Sequence, residues 1–98
     1  MTRDANIVVL SPRDNVGVAV SDIGAGRPAR SAEGVAVVAR ESVPLGHKIA
    51  LGPIAAGEPI VRFGVPVGIA TSDIEAGQLV HVHNVRSQYL DNVEDHYE

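Results

Sequence analysis

The chain has 98 residues, of which 45% are hydrophobic, and a net charge of −4, which suits a single domain over residues 1–98 with a modest core. It contains no cysteine, which excludes disulfides and thiolate chemistry, and its eight scattered basic residues lack an aromatic platform, which argues against nucleic-acid binding. No apolar run approaches the roughly 18 residues of a membrane span, and no signal-peptide pattern is visible, so we expect a soluble, cytoplasmic protein that does not bind a membrane.

The apolar residues favour short strands. Sixteen valines and seven isoleucines stand against three aromatic residues, while ten glycines and six prolines divide the chain into short pieces. β-Branched residues bounded by Gly, Pro, Asp and Asn are typical of an all-β fold with many turns. In chain order, we predict strands at residues 7–10, 16–20, 35–40, 48–51, 60–63, 67–71 and 79–85, with a polar link over residues 21–34.

One pattern, [VI]-A-x-x-x-I-x-A-G, occurs three times without gaps, starting at residues 18, 49 and 69. The irregular spacing excludes a solenoid, so the pattern indicates a repeated strand–turn–strand corner. Asp22 and Asp73 are suited to cap a turn of helix, Pro53 is suited to begin one, and the glycine is suited to end it with a positive φ. We therefore predict single-turn helical corners at residues 22–25, 53–56 and 73–76.

Two of the four histidines lie close together in the stretch GQLVHVHN, residues 77–84. If residues 79–85 form a strand, alternation places His81 and His83 on one face and the two valines of the stretch on the packed face. Imidazoles that start roughly 7 Å apart can bind one metal ion, provided that a third ligand comes from elsewhere. Two solvent-facing histidines are the alternative, and the residues alone leave both open.

Other polar candidates lie at turns. His47 and Lys48 follow Gly46 at the entry to a strand, where they are well placed to reach a polyanionic or polyhydroxy ligand. Asp14 and Asn15 open the second predicted strand, where an Asx turn is the simple interpretation. His47 and Asp14 are also the candidates within this chain for the third metal ligand, and a partner chain is the remaining source.

Five stretches together resemble one protein family: RDNVGVAV (13–20), GHKIAL (46–51), IAAG (54–57), GVPVGIATSDIEAG (64–77) and VHVHN (80–84). They are similar to the small N-terminal module of altronate and galactarate dehydratases, which also occurs as the separate small subunit of sulfolactate sulfo-lyase. The resemblance covers residues 13 to about 87 in order and leaves out an acidic tail over residues 88–98. It implies a SAF-type domain with the β-clip fold, a compact array of short strands.

The resemblance also implies one part of a two-part enzyme. The family eliminates water, or sulfite, from a small hydroxy acid to give a 2-keto product, commonly with divalent iron. The large catalytic subunit is then the expected partner and the main holder of Fe²⁺, and a sugar acid is the expected substrate. We expect a hydro-lyase of the altronate/galactarate type that is inactive without this partner. The alternatives are the small subunit of a sulfolactate sulfo-lyase, or a SAF-type module that binds a carbohydrate or a partner without catalysis.

The functional residues implied by the resemblance are the polar ones in its motifs. The implied catalytic residues are His47, His81 and His83, of which His81 and His83 are also candidate metal ligands. The implied substrate-binding residues are Lys48, Asn84, Asp14 and Asn15. Individual roles within the two groups are not assigned.

Overall fold

The computed structural model describes residues 5–86, which form nine short strands and no helix. The strands are β1 (Ile7–Val8), β2 (Val16–Ala19), β3 (Pro28–Arg30), β4 (Ala36–Val38), β5 (Lys48–Ala50), β6 (Pro59–Arg62), β7 (Val65–Ala70), β8 (Leu79–Val80) and β9 (Val85–Arg86). The all-β prediction is therefore confirmed. The acidic tail predicted over residues 88–98 lies outside the described residues. Within the described range, the structure has no helix that could cross a membrane.

The strands form three antiparallel sheets. The largest has the strand order β1-β2-β5-β8, β3 and β4 form a hairpin, and the third sheet has the order β6-β7-β9. Lys48 of β5 lies opposite Val18 of β2 and Val80 of β8, so it is flanked on both sides within the largest sheet. The predicted polar link over residues 21–34 contains β3, which was missed because Pro28 and Arg30 carry little strand signal.

Four corners, rather than three, connect the strands. They end in Gly26, Gly46, Gly57 and Gly77, whose φ angles lie between 84° and 89°. After each glycine, the next N–H donates to the carbonyl three residues earlier at 3.0–3.1 Å. These are hydrogen-bonded turns, and the predicted single-turn helices at residues 22–25, 53–56 and 73–76 are not formed. The corner that was missed begins at Val43, where valine stands in place of the isoleucine of the other copies and Leu45 in place of their alanine.

The corners are paired with one another, which explains why they are not helical. Ile23 and Val43 exchange backbone hydrogen bonds, as do Ile54 and Ile74, all at 2.8–2.9 Å. Each glycine N–H then donates to an alanine carbonyl that precedes the partner corner, at 2.7–2.8 Å: Gly26 to Ala39, Gly46 to Ala19, Gly57 to Ala70 and Gly77 to Ala50. Because these long-range bonds satisfy the groups that a turn of helix would use, the corners form isolated turns and not helix.

The four corners also supply the core. Each contributes three buried apolar side chains, which together make twelve of the fourteen buried apolar residues in the described chain; the other two are Ile7 and Val16. The first pair of corners fills one cluster and the second pair fills another. Ile49 and Ala50 are neighbours on β5 but belong to different clusters, so the largest sheet separates the two. Since burying one Val or Ile contributes about 1.5–3 kcal/mol, the repeat is the main source of hydrophobic stabilisation.

Candidate functional site

A hydrogen-bonded turn over residues 81–84 replaces the second half of the last predicted strand. The Asn84 N–H donates to the His81 carbonyl at 3.0 Å. The buried Asn84 side chain closes the turn, since its oxygen accepts the His81 N–H at 2.9 Å and its amide donates to the Leu79 carbonyl at 2.9 Å. β8 therefore ends before the histidines, and the predicted alternation is wrong from His81 onwards.

The turn leaves its first three residues facing solvent. His81, Val82 and His83 are all exposed, and Val82, which alternation placed on the packed face, is 71% exposed. The two imidazoles remain electrostatic neighbours, because the positive charge that His83 can carry lowers the pKa of His81. This tip is therefore accessible to a ligand or a partner, whereas Asn84 is engaged within the turn.

The structure brings His47 and His81 together, although they lie far apart in sequence. Their ring centroids are 4.7 Å apart and the rings are tilted by 58°, which is within the range of direct ring contact. The register of β5 and β8 causes this approach, since Lys48 lies opposite Val80 in an antiparallel pair. His47 directly precedes Lys48 and His81 directly follows Val80, so both histidines lie at the same end of the two strands.

His81 is poised to accept a proton. Burial lowers its pKa, and the positive charges of His47, Lys48 and His83 lower it further. A lowered pKa favours the neutral form of the His81 imidazole. A neutral imidazole has one nitrogen that donates and one that accepts a hydrogen bond, so His81 can take a proton from a bound ligand.

Lys48 lies next to His47 in the chain and opposite Val80, the residue before His81. Burial lowers the pKa of Lys48, and the positive charge of Arg62 lowers it further. Within residues 5–86, no carboxylate forms an ion pair with Lys48, Arg62 or the three histidines. The absence of a carboxylate partner among residues 5–86 favours an anionic ligand for these basic side chains. Arg62 was not among the predicted site residues, because nothing in the sequence around it distinguishes it from the other arginines.

Asp14 stabilises the turn that precedes β2 and its contact with the β6–β7 hairpin. Its carboxylate accepts backbone N–H groups at 2.7–3.2 Å, from Leu10, Ser11 and Gly64. Burial raises the pKa of Asp14, but the backbone hydrogen bonds outweigh burial and hold the pKa below its usual value. The ionised carboxylate is thus part of the fold.

Asn15 has a similar structural role. Its amide donates to the Pro59 carbonyl at 2.9 Å and its oxygen accepts the Val61 N–H at 2.7 Å, which ties β2 to β6. In the described part of the chain, neither Asn15 nor Asp14 contacts a histidine. Substrate binding by these two residues and by Asn84 stays a prediction.

The described residues do not supply a complete metal site. No group of three or more His, Cys, Asp or Glu side chains in residues 5–86 is placed to hold one ion, and a protein site for a transition metal usually has at least three protein ligands. Of the two candidate third ligands within the chain, Asp14 is occupied by backbone N–H groups, and His47 contacts His81 without completing a group of three among the described residues. Metal ligation by His81 and His83 stays a prediction that requires ligands from another chain or segment.

Comparison with known proteins gives one consistent relationship. A family model described as the altronate/galactarate dehydratase SAF domain matches residues 5–88. The chain is 42% identical over 78 residues to an altronate dehydratase of Escherichia coli strain K12, and 36% identical over 86 residues to one of Bacillus subtilis strain 168. It is 35% identical over 49 residues to the (2R)-sulfolactate sulfo-lyase subunit alpha of Chromohalobacter salexigens.

The alignments cover most of this chain but little of the dehydratases. They include 80% and 88% of the chain, but only 16% and 17% of the two altronate dehydratases. The sulfo-lyase alignment includes 50% of the chain and 52% of that subunit. The family model spans all of the described residues, which confirms the relationship implied by the sequence motifs. The chain belongs to the SAF-domain family of altronate and galactarate dehydratases.

Proposed function

We propose that this chain is the small subunit, or N-terminal domain, of a sugar-acid hydro-lyase of the altronate/galactarate type. It would act with a large catalytic partner, in the cytoplasm, to convert a polyhydroxy acid into a 2-keto-3-deoxy acid. The observation that carries the proposal is the His47–His81 pair, 4.7 Å between ring centroids, beside Lys48 and without a carboxylate counter-ion among residues 5–86. Such a group suits an acid whose proton must be moved.

The reaction sets clear requirements for the side chains. The C2–H and C3–O bonds of the hydroxy acid break, water leaves, and the resulting enol becomes the 2-keto acid. We assign proton acceptance to the neutral His81, and binding of the substrate carboxylate to the Lys48 ammonium. His47 packs against the His81 ring and orients it. His83, at the exposed tip of the turn, is placed to meet the substrate or the partner.

A divalent metal, with Fe²⁺ as the proposed ion, would polarise the substrate carboxylate and hydroxyl when bound. The described residues of this chain do not form a complete ligand set. We therefore assign the ion mainly to the large partner and derive no step through it. The two altronate dehydratases are about six times as long as the aligned region, since the alignments cover 16% and 17% of them. That length supports a division of labour between this module and a larger catalytic part.

A sulfo-lyase small subunit is the second candidate. The alignments cover 52% and 78% of two (2R)-sulfolactate sulfo-lyase alpha subunits, which are short chains like this one. In that reaction the C–S bond breaks and sulfite leaves in place of water, while the α-proton is removed in the same way. A SAF-type module that binds a carbohydrate or a partner without catalysis is the remaining alternative.

Reconstitution tests the proposal. The chain would be combined with a large subunit carrying the rest of an altronate-dehydratase-like protein from the same source, loaded with Fe²⁺, and assayed for 2-keto acid from altronate, galactarate and sulfolactate. We expect turnover only when both parts are present. If sulfolactate is the only one of the three acids that reacts, and sulfite is released, the result would favour the sulfo-lyase. Full turnover by the large part alone would contradict a catalytic role for this chain and favour the binding module.

A further inference from the structure

The contact between His47 and His81 depends on the position of β8, which is an edge strand. The inner edge of β8 pairs with β5, where Leu79 lies opposite Ile49, and no strand of the described chain lies on its outer edge. β8 has two residues, whereas a strand usually has roughly 3–10. Groups outside the sheet are therefore needed to satisfy and hold the outer edge of β8.

Two side chains close this outer edge at Leu79. The Leu79 N–H donates to the Glu41 carboxylate at 2.9 Å, and the Leu79 carbonyl accepts the Asn84 amide at 2.9 Å. Both backbone groups that a neighbouring strand would use are thus bonded to side chains. Because His81 lies two residues after Leu79, these bonds fix the end of the strand from which the His81 turn begins.

Glu41 joins the two segments that carry the histidine rings. It lies six residues before His47, in the connection between β4 and β5. Its carboxylate reaches across to the strand that directly precedes His81. The bond from Glu41 to Leu79 therefore ties together the segments of both rings, in addition to the pairing of β5 with β8.

Arg40, the residue before Glu41, lies against the same part of the chain. The Arg40 N–H donates to the Gly77 carbonyl at 2.8 Å, and its guanidinium forms an ion pair with Glu75. The two side chains of this ion pair are 58% and 63% exposed, so the pair contributes little. Glu41 is only partly exposed, and a carboxylate that accepts a backbone N–H makes one of the stronger kinds of hydrogen bond. Glu41 is thus the side chain of this segment that is best suited to hold β8.

We propose that Glu41 is a positioning residue, which holds the His81 ring against the His47 ring through its bond to the Leu79 N–H. Its carboxylate forms no ion pair among residues 5–86, and the family motifs did not include it. The inference rests on the proposed function, in which His81 accepts the proton, and adds a residue that acts on this step without touching the substrate. A proton acceptor must lie within hydrogen-bond reach of its proton, and a displacement of about 1 Å can cost roughly 10²-fold in rate.

Nuclear magnetic resonance of the full chain tests the positioning role without a substrate. Because the ring centroids are 4.7 Å apart, the wild-type chain should show nuclear Overhauser effects between the two imidazoles. We expect Glu41→Ala to lose these effects, and Glu41→Gln to keep them, since the glutamine oxygen can still accept the Leu79 N–H. Glu58→Ala is the matched control, because it also removes a carboxylate that accepts a backbone N–H, from Ala55 at 2.8 Å, but in the second pair of corners. It should keep the effects between the rings.

Kinetics of the reconstituted enzyme test the consequence for the reaction. Glu41→Ala should lower kcat by up to ~10²-fold and leave KM within about twofold, because the lost interaction orients His81 and does not bind the substrate. Glu41→Gln should restore the wild-type kcat. If Glu41→Ala does not fold, Glu41→Asp takes its place, since it keeps the charge and shortens the side chain by one methylene. The effects between the rings should be weakened in that variant as well.

The outcomes distinguish this inference from the proposed function. Effects between the rings that persist in a folded Glu41→Ala or Glu41→Asp chain would overturn the positioning role and leave the lyase proposal standing. An equal loss in Glu41→Gln or in Glu58→Ala would also overturn it, because the charge or the overall stability would then be the cause. Absence of the effects in the wild-type chain would overturn both proposals. Their loss in Glu41→Ala with unchanged turnover would overturn only the assignment of His81 as the proton acceptor.

Discussion

The two pairs of corners share one scaffold but differ at the residue that follows each glycine. In the second pair, Glu58 and Gln78 direct a side-chain oxygen back to the N–H three residues earlier, at 2.8 and 2.7 Å. In the first pair, the equivalent residues are Arg27 and His47. A guanidinium cannot accept this bond, and the His47 ring instead lies with Nδ1 3.4 Å from the Leu45 carbonyl.

The difference shows how the fold accommodates a site. His47 does not close its own corner with its side chain, and its ring is free to contact His81. The corner is still supported, because the Asp22 carboxylate accepts the Leu45 N–H at 2.8 Å. The second pair of corners thus has a local side-chain bond at each turn, while the first pair lacks that bond and His47 contacts His81 instead.

The second pair of corners should be broken most severely by Gly77→Ala. A Cβ at this position would lie 2.1 Å from the Val38 carbonyl oxygen, whereas a Cβ at Gly57 would meet nothing within 4 Å. Since both glycines have φ near 88°, the two variants share the cost of a left-handed residue and differ in the clash. We expect Gly77→Ala to lose about 3 kcal/mol or more and Gly57→Ala about 1–2 kcal/mol in urea unfolding. Equal losses would show that the close approach to Val38 is unimportant.

Acidification should weaken the contact that Asp14 makes between the turn before β2 and the β6–β7 hairpin. Its folded-state pKa is held below the ordinary value by backbone N–H groups, although burial opposes this. The carboxylate therefore contributes stability above roughly pH 4, and the contribution is lost as the pH falls through the lower folded-state pKa.

We expect Asp14→Asn to cost about 1–2 kcal/mol at pH 7, because Asp14 is only half-buried, and to reduce the loss of stability on acidification. Chemical unfolding measured from pH 7 to pH 3 checks this. Glu33→Gln, at an exposed carboxylate, is the matched control and should leave the curve unchanged. A wild-type acid response in Asp14→Asn would rule out this role for Asp14.

Replacing the residue that follows a corner glycine with alanine should affect the two pairs of corners differently. Glu58→Ala removes the acceptor of the Ala55 N–H, and we expect a loss of about 0.5–1.5 kcal/mol. Arg27→Ala, at the equivalent place in the first pair, removes no such bond and should cost less than about 0.5 kcal/mol. Thermal unfolding of both variants checks this, and the contrast fails if the two variants are equally destabilised.

The smallest effect is expected at the tip of the His81 turn. Val82 is 71% exposed, so Val82→Asp buries no charge and should change the free energy of unfolding by less than about 0.5 kcal/mol. Val80→Asp, at a fully buried position, is the opposite control and should prevent folding. Severe destabilisation by Val82→Asp would contradict the turn and support the continuous strand that alternation predicted over residues 79–85.

Much of the fold was predictable because a short sequence pattern repeats at most of its corners. The I-x-A-G pattern identified three corners, and the valine-rich, glycine-punctuated sequence indicated an all-β chain. The corner at Val43 was missed because it lacks the alanine, and helical turns were predicted because the pairing of Ile23 with Val43 is a long-range contact. Local capping preferences carry no information about such a partner.

The contact between His47 and His81 was not predictable from the sequence, and their functional roles stay predictions. The family motifs pointed to His47 and His81, but their contact depends on the pairing of β5 with β8, which the sequence does not specify. The error at residues 81–84 arose because one asparagine side chain closes a turn, which alternation cannot detect. Arg62 drew no attention in the sequence because the burial of its Nε, which has no hydrogen-bond partner among the described residues, is a tertiary feature.

Turnover of the His47→Gln variant, reconstituted with the large partner, tests most directly whether the first pair of corners gave up a structural bond for a catalytic one. Glutamine supplies the oxygen that Gln78 uses in the second pair, so the Tm of the chain should equal or exceed that of the wild type. Turnover should fall because His81 loses the ring that orients it, by at most the ~10²–10⁴-fold that a proton-transfer group itself contributes. A folded His47→Gln chain that supports wild-type turnover would contradict the catalytic role of the His47–His81 pair.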